Sequence, residues 1–415
     1  MVNRNKFVVV LLSTIFVFYA VVGGLLGRAT EREGSYSQLS VFNEVLSKIR
    51  NSYVEDPNLG EVMNGALRGL LESLDSYSTY LSPDEYSRYK KHKTNGNGGL
   101  GLELSKEKML GYAYVIHPIE SGPADKAGVK PGDVIESIEE VSTRDISLLQ
   151  AEYLMTGNPG STAKLKILRR GRAEPLELTV TRDLVKAPPV KASLLENKIA
   201  HLKVYRFTPG ISDDVRLKLQ QLTKNGASRV ILDLRDCAGE EFEEAVKVAN
   251  FFLDHGVITY TQGQKSPKKE FVADQAKALS KLPLVVLQNY GSASGAEIVS
   301  AAIKENRRGE VVGVKSFGKA SLQQLIPLES DSAVLLSTAK FYSQSGKVIQ
   351  GQGITPDVEV RDGREAMSAE GDVDDEDSDD ATTPPKSTKP SSQEDLQLKK
   401  AIELLSAPAS EKKAA

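Results

Sequence analysis

The chain is predicted to be a multidomain protein of mixed α/β class, and three observations point there. Its 415 residues exceed one ordinary domain and suffice for a large core. Apolar runs at residues 199–204, 230–234, 284–287 and 311–314 alternate with helical stretches at 213–222 and 242–252, the pattern of a core built on a mixed sheet. Composition also changes sharply along the chain, which divides into residues 1–27, 28–95, 96–185, 186–361 and 362–415.

Residues 7–27 form an uncharged apolar run preceded by Arg4 and Lys6, the layout of an export signal. About twenty apolar residues span a bilayer as a helix. Arg28 follows no A-x-A site, and the run has no cysteine for lipid attachment. The expectation is an uncleaved signal-anchor rather than a cleaved peptide. The catalytic part then faces the periplasm or the cell exterior, and the chain meets a membrane through residues 7–27.

Between residues 28 and 95, Val41, Val45, Leu46 and Ile49 recur at helical spacing, as do Met63, Ala66, Leu67, Leu70 and Leu71. Asp56-Pro57 separates the two runs, and Ser82-Pro83 reads as an N-cap followed by proline in the first turn.

From Gly98 to Thr181 come Gly99-Leu100-Gly101-Leu102, an apolar strand at 112–117, and S-G-P-A-D-K-A-G-V-K-P-G-D-V-I from Ser121 to Ile135. This word resembles a PDZ domain. The resemblance implies that Gly99, Leu100, Gly101 and Leu102 form the loop whose backbone N–H groups hold a terminal carboxylate, while the next strand pairs with the bound peptide. Glu139-Glu140 stands where such domains often carry Asn-Gly, which puts that turn's geometry in question. Leu148, Ala151 and Met155 recur at helical spacing and fit either the groove or the core.

Residues 289–323 organise the rest. N-Y-G-S-A-S-G-A-E-I-V-S-A-A follows an apolar run, so Ser294 sits at a small-residue turn opening a helix. Backbone N–H groups at such a helix start can hold a developing oxyanion. A second apolar run ends in a glycine turn that presents Lys319, 25 residues after Ser294. A serine needs a base to become a nucleophile, and a neutral lysine can serve. Taken alone, a serine such as Ser294 is usually only a helix cap, and a lysine such as Lys319 a surface lysine.

The wider words G-S-A-S-x-A-E-I-V, V-G-x-K-S-F-G-K-x-S-x-Q and G-K-V-I-Q-G-Q-G-I-T-P-D resemble the carboxyl-terminal processing peptidases, the tail-specific serine proteases, over residues 39–360. That resemblance implies Ser294 as nucleophile, Lys319 as general base and Gln323 as the residue orienting it. It implies an oxyanion hole from the backbone N–H of Gly295 and Gly239, and an N-terminal helical region that often makes homo-oligomer contacts. Its substrates would be proteins or peptides with free C-termini; an adaptor protein is a further partner to consider.

Two departures stand out. After I-L-D-L-R the family has N-x-x-G-G, whereas this chain has Asp236-Cys237-Ala238-Gly239-Glu240. A carboxylate there would repel the oxyanion, and a lost donor costs about 10²–10³ in rate. Gly295 stands where the family usually has alanine. The rival reading is therefore a peptide-binding scaffold of the same fold with impaired catalysis, against which the intact Ser294, Lys319 and Gln323 weigh.

Other classes are disfavoured. One cysteine, Cys237, precludes a disulfide framework, and the four histidines form no metal-binding word, so neither a metal nor a cofactor is expected. Net charge is −3 with no basic stripe, which argues against nucleic acid. Asp233 reads as an ordinary strand-end residue and Cys237 as a buried structural thiol. Residues 362–415 include an acidic run at 372–380, expected to be disordered, and then regain helical periodicity at 396–405.

Overall fold

The computed structural model describes residues 13–19, 39–92, 98–106, 111–239, 241–361 and 394–407. Most of the apolar run at 7–27, Glu240, and the acidic run at 372–380 lie outside them. The described part of the apolar run, 13–19, is helical and exposed. Among the described residues no helix is long and apolar enough to cross a membrane.

The chain forms two compact units, residues 1–67 and 68–415. The first contains a helix at 39–52 and most of the helix Leu59–Glu72, in which no residue is buried. The second carries three sheets.

The central sheet runs, edge to edge, through Val358–Glu359, Glu310–Gly313, Leu284–Gln288, Arg229–Asp233, Ile199–Lys203 and Lys191–Leu195. The first five strands are parallel and the last is antiparallel, so the sheet is mixed. Leu284–Gln288 is buried throughout, because helices cover both faces. Strand periodicity sorts its side chains. Val230, Leu232, Leu284 and Val286 meet Val215 and Leu219 of the helix Ile211–Lys224, Val248 of Phe242–Asn250 and Ile298 of Gly295–Glu305. Ile231, Val285 and Leu287 face the other way, against Ala401 and Leu405 of the helix Leu396–Ser406. The terminal helical periodicity thus docks on the core. Asp395 caps it, accepting from the Leu398 N–H at 2.9 Å, and Arg235 bonds both Asp395 (2.8 Å) and Gln397 (3.3 Å).

The second sheet is antiparallel and was not legible as a unit in the sequence. It orders Thr79–Leu81, Ala333–Tyr342, Val257–Gln262 and Lys269–Val272, with Ser321–Pro327 also on Ala333–Tyr342. Thr79 pairs with Leu335 across the whole intervening chain. The third sheet therefore arises from an insertion between residue 81 and the core.

That inserted sheet runs Leu102–Lys106, Ala113–Pro118, Val134–Ile138, Thr162–Leu168 and Leu176–Thr181, with Val141–Ser142 on Val134–Ile138. The helix Leu148–Met155 closes it, its start fixed by a Ser147–Gln150 capping box. Leu148, Ala151 and Met155 point into this core rather than a groove. Glu139 and Glu140 form a two-residue hairpin turn at φ 49° and 66°, the left-handed geometry that Asn-Gly would adopt with less strain.

Candidate active site

Ser294 lies at the end of the buried strand Leu284–Gln288, where the turn 289–293 leads into the helix Gly295–Glu305. Its backbone holds φ 54° and ψ −113°, a sparsely populated conformation that persists only where the surroundings impose it. Those surroundings are three turns laced together. The Ala293 N–H donates to Cys237 O at 2.9 Å, and the Ser292 hydroxyl donates to Leu234 O at 2.7 Å. Phe317 N–H donates to Ser292 O at 3.0 Å, bringing in the loop that carries Lys319.

Glu297 joins the last two. Fully buried one turn into the helix, its carboxylate accepts from the Ser294 N–H (2.9 Å), the Lys319 N–H (2.9 Å), the Gly318 N–H (2.7 Å) and the Ser316 hydroxyl (2.6 Å). The sequence reading missed this residue, although Ser-x-x-Glu at a helix start is a capping signature. The lysine loop is further held by Gln350, whose side-chain oxygen accepts from the Ala320 N–H at 2.6 Å.

Gly239 and Gly295 border the same space. Gly239 has φ +120°, and a Cβ there would lie 2.3 Å from Phe207 O, so the turn admits only glycine. Phe207 N–H in turn donates to Ala238 O at 2.7 Å. Among the described residues no backbone acceptor takes the N–H of Gly239 or Gly295. Cys237 is buried and its thiol is pushed up by that burial, which leaves it unsuited to act as a nucleophile. Asp233 is buried too. Burial alone would raise its pKa, but hydrogen bonds from His201 and Arg235 hold it far below the usual carboxylate range, as a structural ion cluster.

The inserted domain reaches into this site. Ile116 packs on Ala238 and Ala293, and Tyr114 stacks on Phe317 at 6.1 Å between ring centroids. Glu103, directly after the glycine loop, forms an ion pair with Lys319 at 2.6 Å and another with Arg206 at 2.6 Å. Burial alone would raise the Glu103 pKa; the Lys319 ammonium and the Arg206 guanidinium hold it well below the carboxylate range. Lys319 Nζ also lies 5.6 Å from the centre of the Tyr77 ring. The sequence expectation had Gln323 orient Lys319. In this arrangement the Gln323 amide donates to the hydroxyl oxygens of Ser321 (2.9 Å) and Ser337 (3.4 Å), while Lys319 is held by Glu103. The glycine loop is partly committed as well. Gly99 N–H donates to Asp183 O at 2.8 Å, whereas no backbone acceptor among the described residues takes the N–H of Leu100 or Gly101.

A strained serine at a helix start, a lysine loop tied to it and an inserted small β-domain define a PDZ-bearing serine peptidase. The comparisons agree. The model of peptidase family S41 matches residues 198–360, and that of a PDZ domain matches residues 98–180. A carboxy-terminal-processing protease of Bartonella bacilliformis is 34% identical over 333 residues, covering 79% of this chain and 76% of its own. The carboxy-terminal processing protease CtpA of Bacillus subtilis is 29% identical, covering 85% and 75%. The photosystem II D1 C-terminal processing protease shares the fold, with a TM-score of 0.67 at 23% identity, over 79% of this chain and 97% of its own. The chain belongs to peptidase family S41, among its carboxy-terminal processing proteases.

Proposed function

We propose that this chain is an endopeptidase that cuts proteins near their C-termini, with Ser294 as nucleophile and Lys319 as general base. The observation that carries this reading is the single Glu297 carboxylate on which the backbones of Ser294 and Lys319 converge. Lys319 must first leave Glu103 and give up a proton. Its neutral amine then takes the Ser294 proton as Oγ attacks the peptide carbonyl, and returns it to the leaving amine. The N–H groups of Gly239 and Gly295 receive the oxyanion. Water then releases the acyl group by the same path. Gln323 is assigned to orienting Lys319 in the reacting state. The N–H groups of Leu100 and Gly101, followed by Leu102, are assigned to the substrate's terminal carboxylate, with Gly99 shaping that loop. Residues 7–27 tether the enzyme to a membrane with its catalytic part outside the cytoplasm.

The test is digestion of an unfolded protein with an apolar C-terminus by the full chain, beside Ser294→Ala and Lys319→Ala. The parent should cleave it, and each variant should fall by about 10⁴-fold or more. Amidating the substrate's C-terminus should raise KM. Parent-like cleavage by Lys319→Ala would overturn the dyad. A folded parent that binds the C-terminal peptide without cutting would instead support the scaffold reading.

A further inference from the structure

Glu297 does more than cap its helix. In an ordinary capping box the third helical residue returns to one N–H, that of the cap. Here three more donors arrive from residues 316–319, and the load is symmetric. Oε1 takes the Ser316 hydroxyl and the Gly318 N–H; Oε2 takes the N–H groups of Ser294 and Lys319. The carboxylate is fully buried, so water cannot replace any of the four. Resting on the peptidase reading above, we infer that Glu297 is a positioning residue whose ionised carboxylate fixes the nucleophile turn against the lysine loop, and that the site is competent only while it is ionised.

The chemistry of the four donors makes this specific. Three are backbone N–H groups that cannot turn round. A proton on Oε2 would face two of them. A proton on Oε1 could point at Ser316 Oγ, which already accepts from the Ile354 N–H at 2.7 Å, but it would compete with the Gly318 N–H. A glutamine fares little better: with its NH₂ at the Oε2 position it faces two fixed N–H donors, and at the Oε1 position it still faces the Gly318 N–H. Among the described residues the charged groups around the site are Lys319, Glu103 and Arg206, linked as one ion-pair cluster, with the Tyr77 phenol and His117 beside them. Burial raises the Glu297 carboxyl to about 7, against the pull of its four donors. Its protonation therefore falls in an accessible pH range.

The measurement is the pH profile of kcat for the full chain and Glu297→Gln. The parent's kcat should rise with pH through a midpoint near 7. The variant should lose about 10²-fold in kcat with KM little changed, and the step near 7 should vanish from its profile, whatever limb the Lys319 base itself contributes. Stability moves in the opposite sense. The folded parent binds a proton between about 4.5 and 7 that the unfolded chain does not, so this contribution to stability is lost as pH rises through 7. A kcat within twofold of the parent, or a step near 7 kept by the variant, would overturn the inference. Amide hydrogen exchange at residues 289–296 and 314–322 needs no turnover. Both segments should exchange at least tenfold faster in the variant while 113–118 and 211–224 keep parent rates. Unchanged exchange would overturn the inference even if the chain cleaves nothing. Should the variant not fold, the parent alone decides: its kcat must show a step with a midpoint near 7, and a profile without that step would overturn the inference.

Discussion

The Glu103–Lys319 contact is the feature of the site most open to test, and Glu103→Gln is the perturbation. Glu103 is 4% exposed and holds Lys319 at 2.6 Å and Arg206 at 2.6 Å. A nitrogen that donates a proton to a carboxylate is not available as a base, so on the proposed Ser294–Lys319 mechanism turnover begins with the breaking of this contact. A hydrogen bond to a charged group contributes about 1.5–3 kcal/mol net. At about 1.4 kcal/mol per decade, releasing Lys319 therefore costs about 10- to 150-fold in rate. Glutamine keeps the shape and removes the charge, so kcat/KM should rise by about 10- to 100-fold. Stability should move the other way, because breaking a buried ion pair costs about 3–5 kcal/mol. The assay is cleavage of an internally quenched peptide with a free apolar C-terminus, beside urea unfolding of the same preparations. A folded Glu103→Gln enzyme with kcat/KM at or below the parent's would refute the reasoning, for Glu103 would then assist Lys319 rather than withhold it.

Two further outcomes follow from the same geometry and the sequence. Gly295→Ala would place a Cβ 2.6 Å from the Phe207 ring and 3.1 Å from Ala245 Cβ, in a fully packed region, and should cost about 1–3 kcal/mol. Phe207→Leu in the same chain should recover part of that loss in a double-mutant cycle by urea unfolding, and strict additivity would contradict the clash. If residues 7–27 anchor the chain, alkaline carbonate should leave it in the membrane pellet and detergent should release it. Release by carbonate alone would show that this run is not an anchor.

Much of this protein is written locally in its sequence. The strands at 230–232 and 284–287 are apolar on both faces because helices cover both sides of their sheet, and that double burial is visible as unbroken aliphatic runs. The glycine-rich turns that place Ser294 and Lys319 at strand ends are equally local, as are the words marking the inserted domain. The tertiary structure decided what lies between distant segments. Helical spacing marked Leu148, Ala151 and Met155 as a stripe, but only packing turned that stripe inward. The terminal helix shows an amphipathic face, yet its seat depends on Ile231, Val285 and Leu287 presenting the far side of the sheet. Nothing within ten residues of Lys319 announces that its charge is met by Glu103, 216 positions earlier. That pairing exists because the inserted domain packs against the turns that carry Ser294 and Lys319, and a docking geometry is a property of two folded surfaces. Periodicity and turn chemistry fix elements over a few residues; the partners of a buried charge are fixed only when those elements meet.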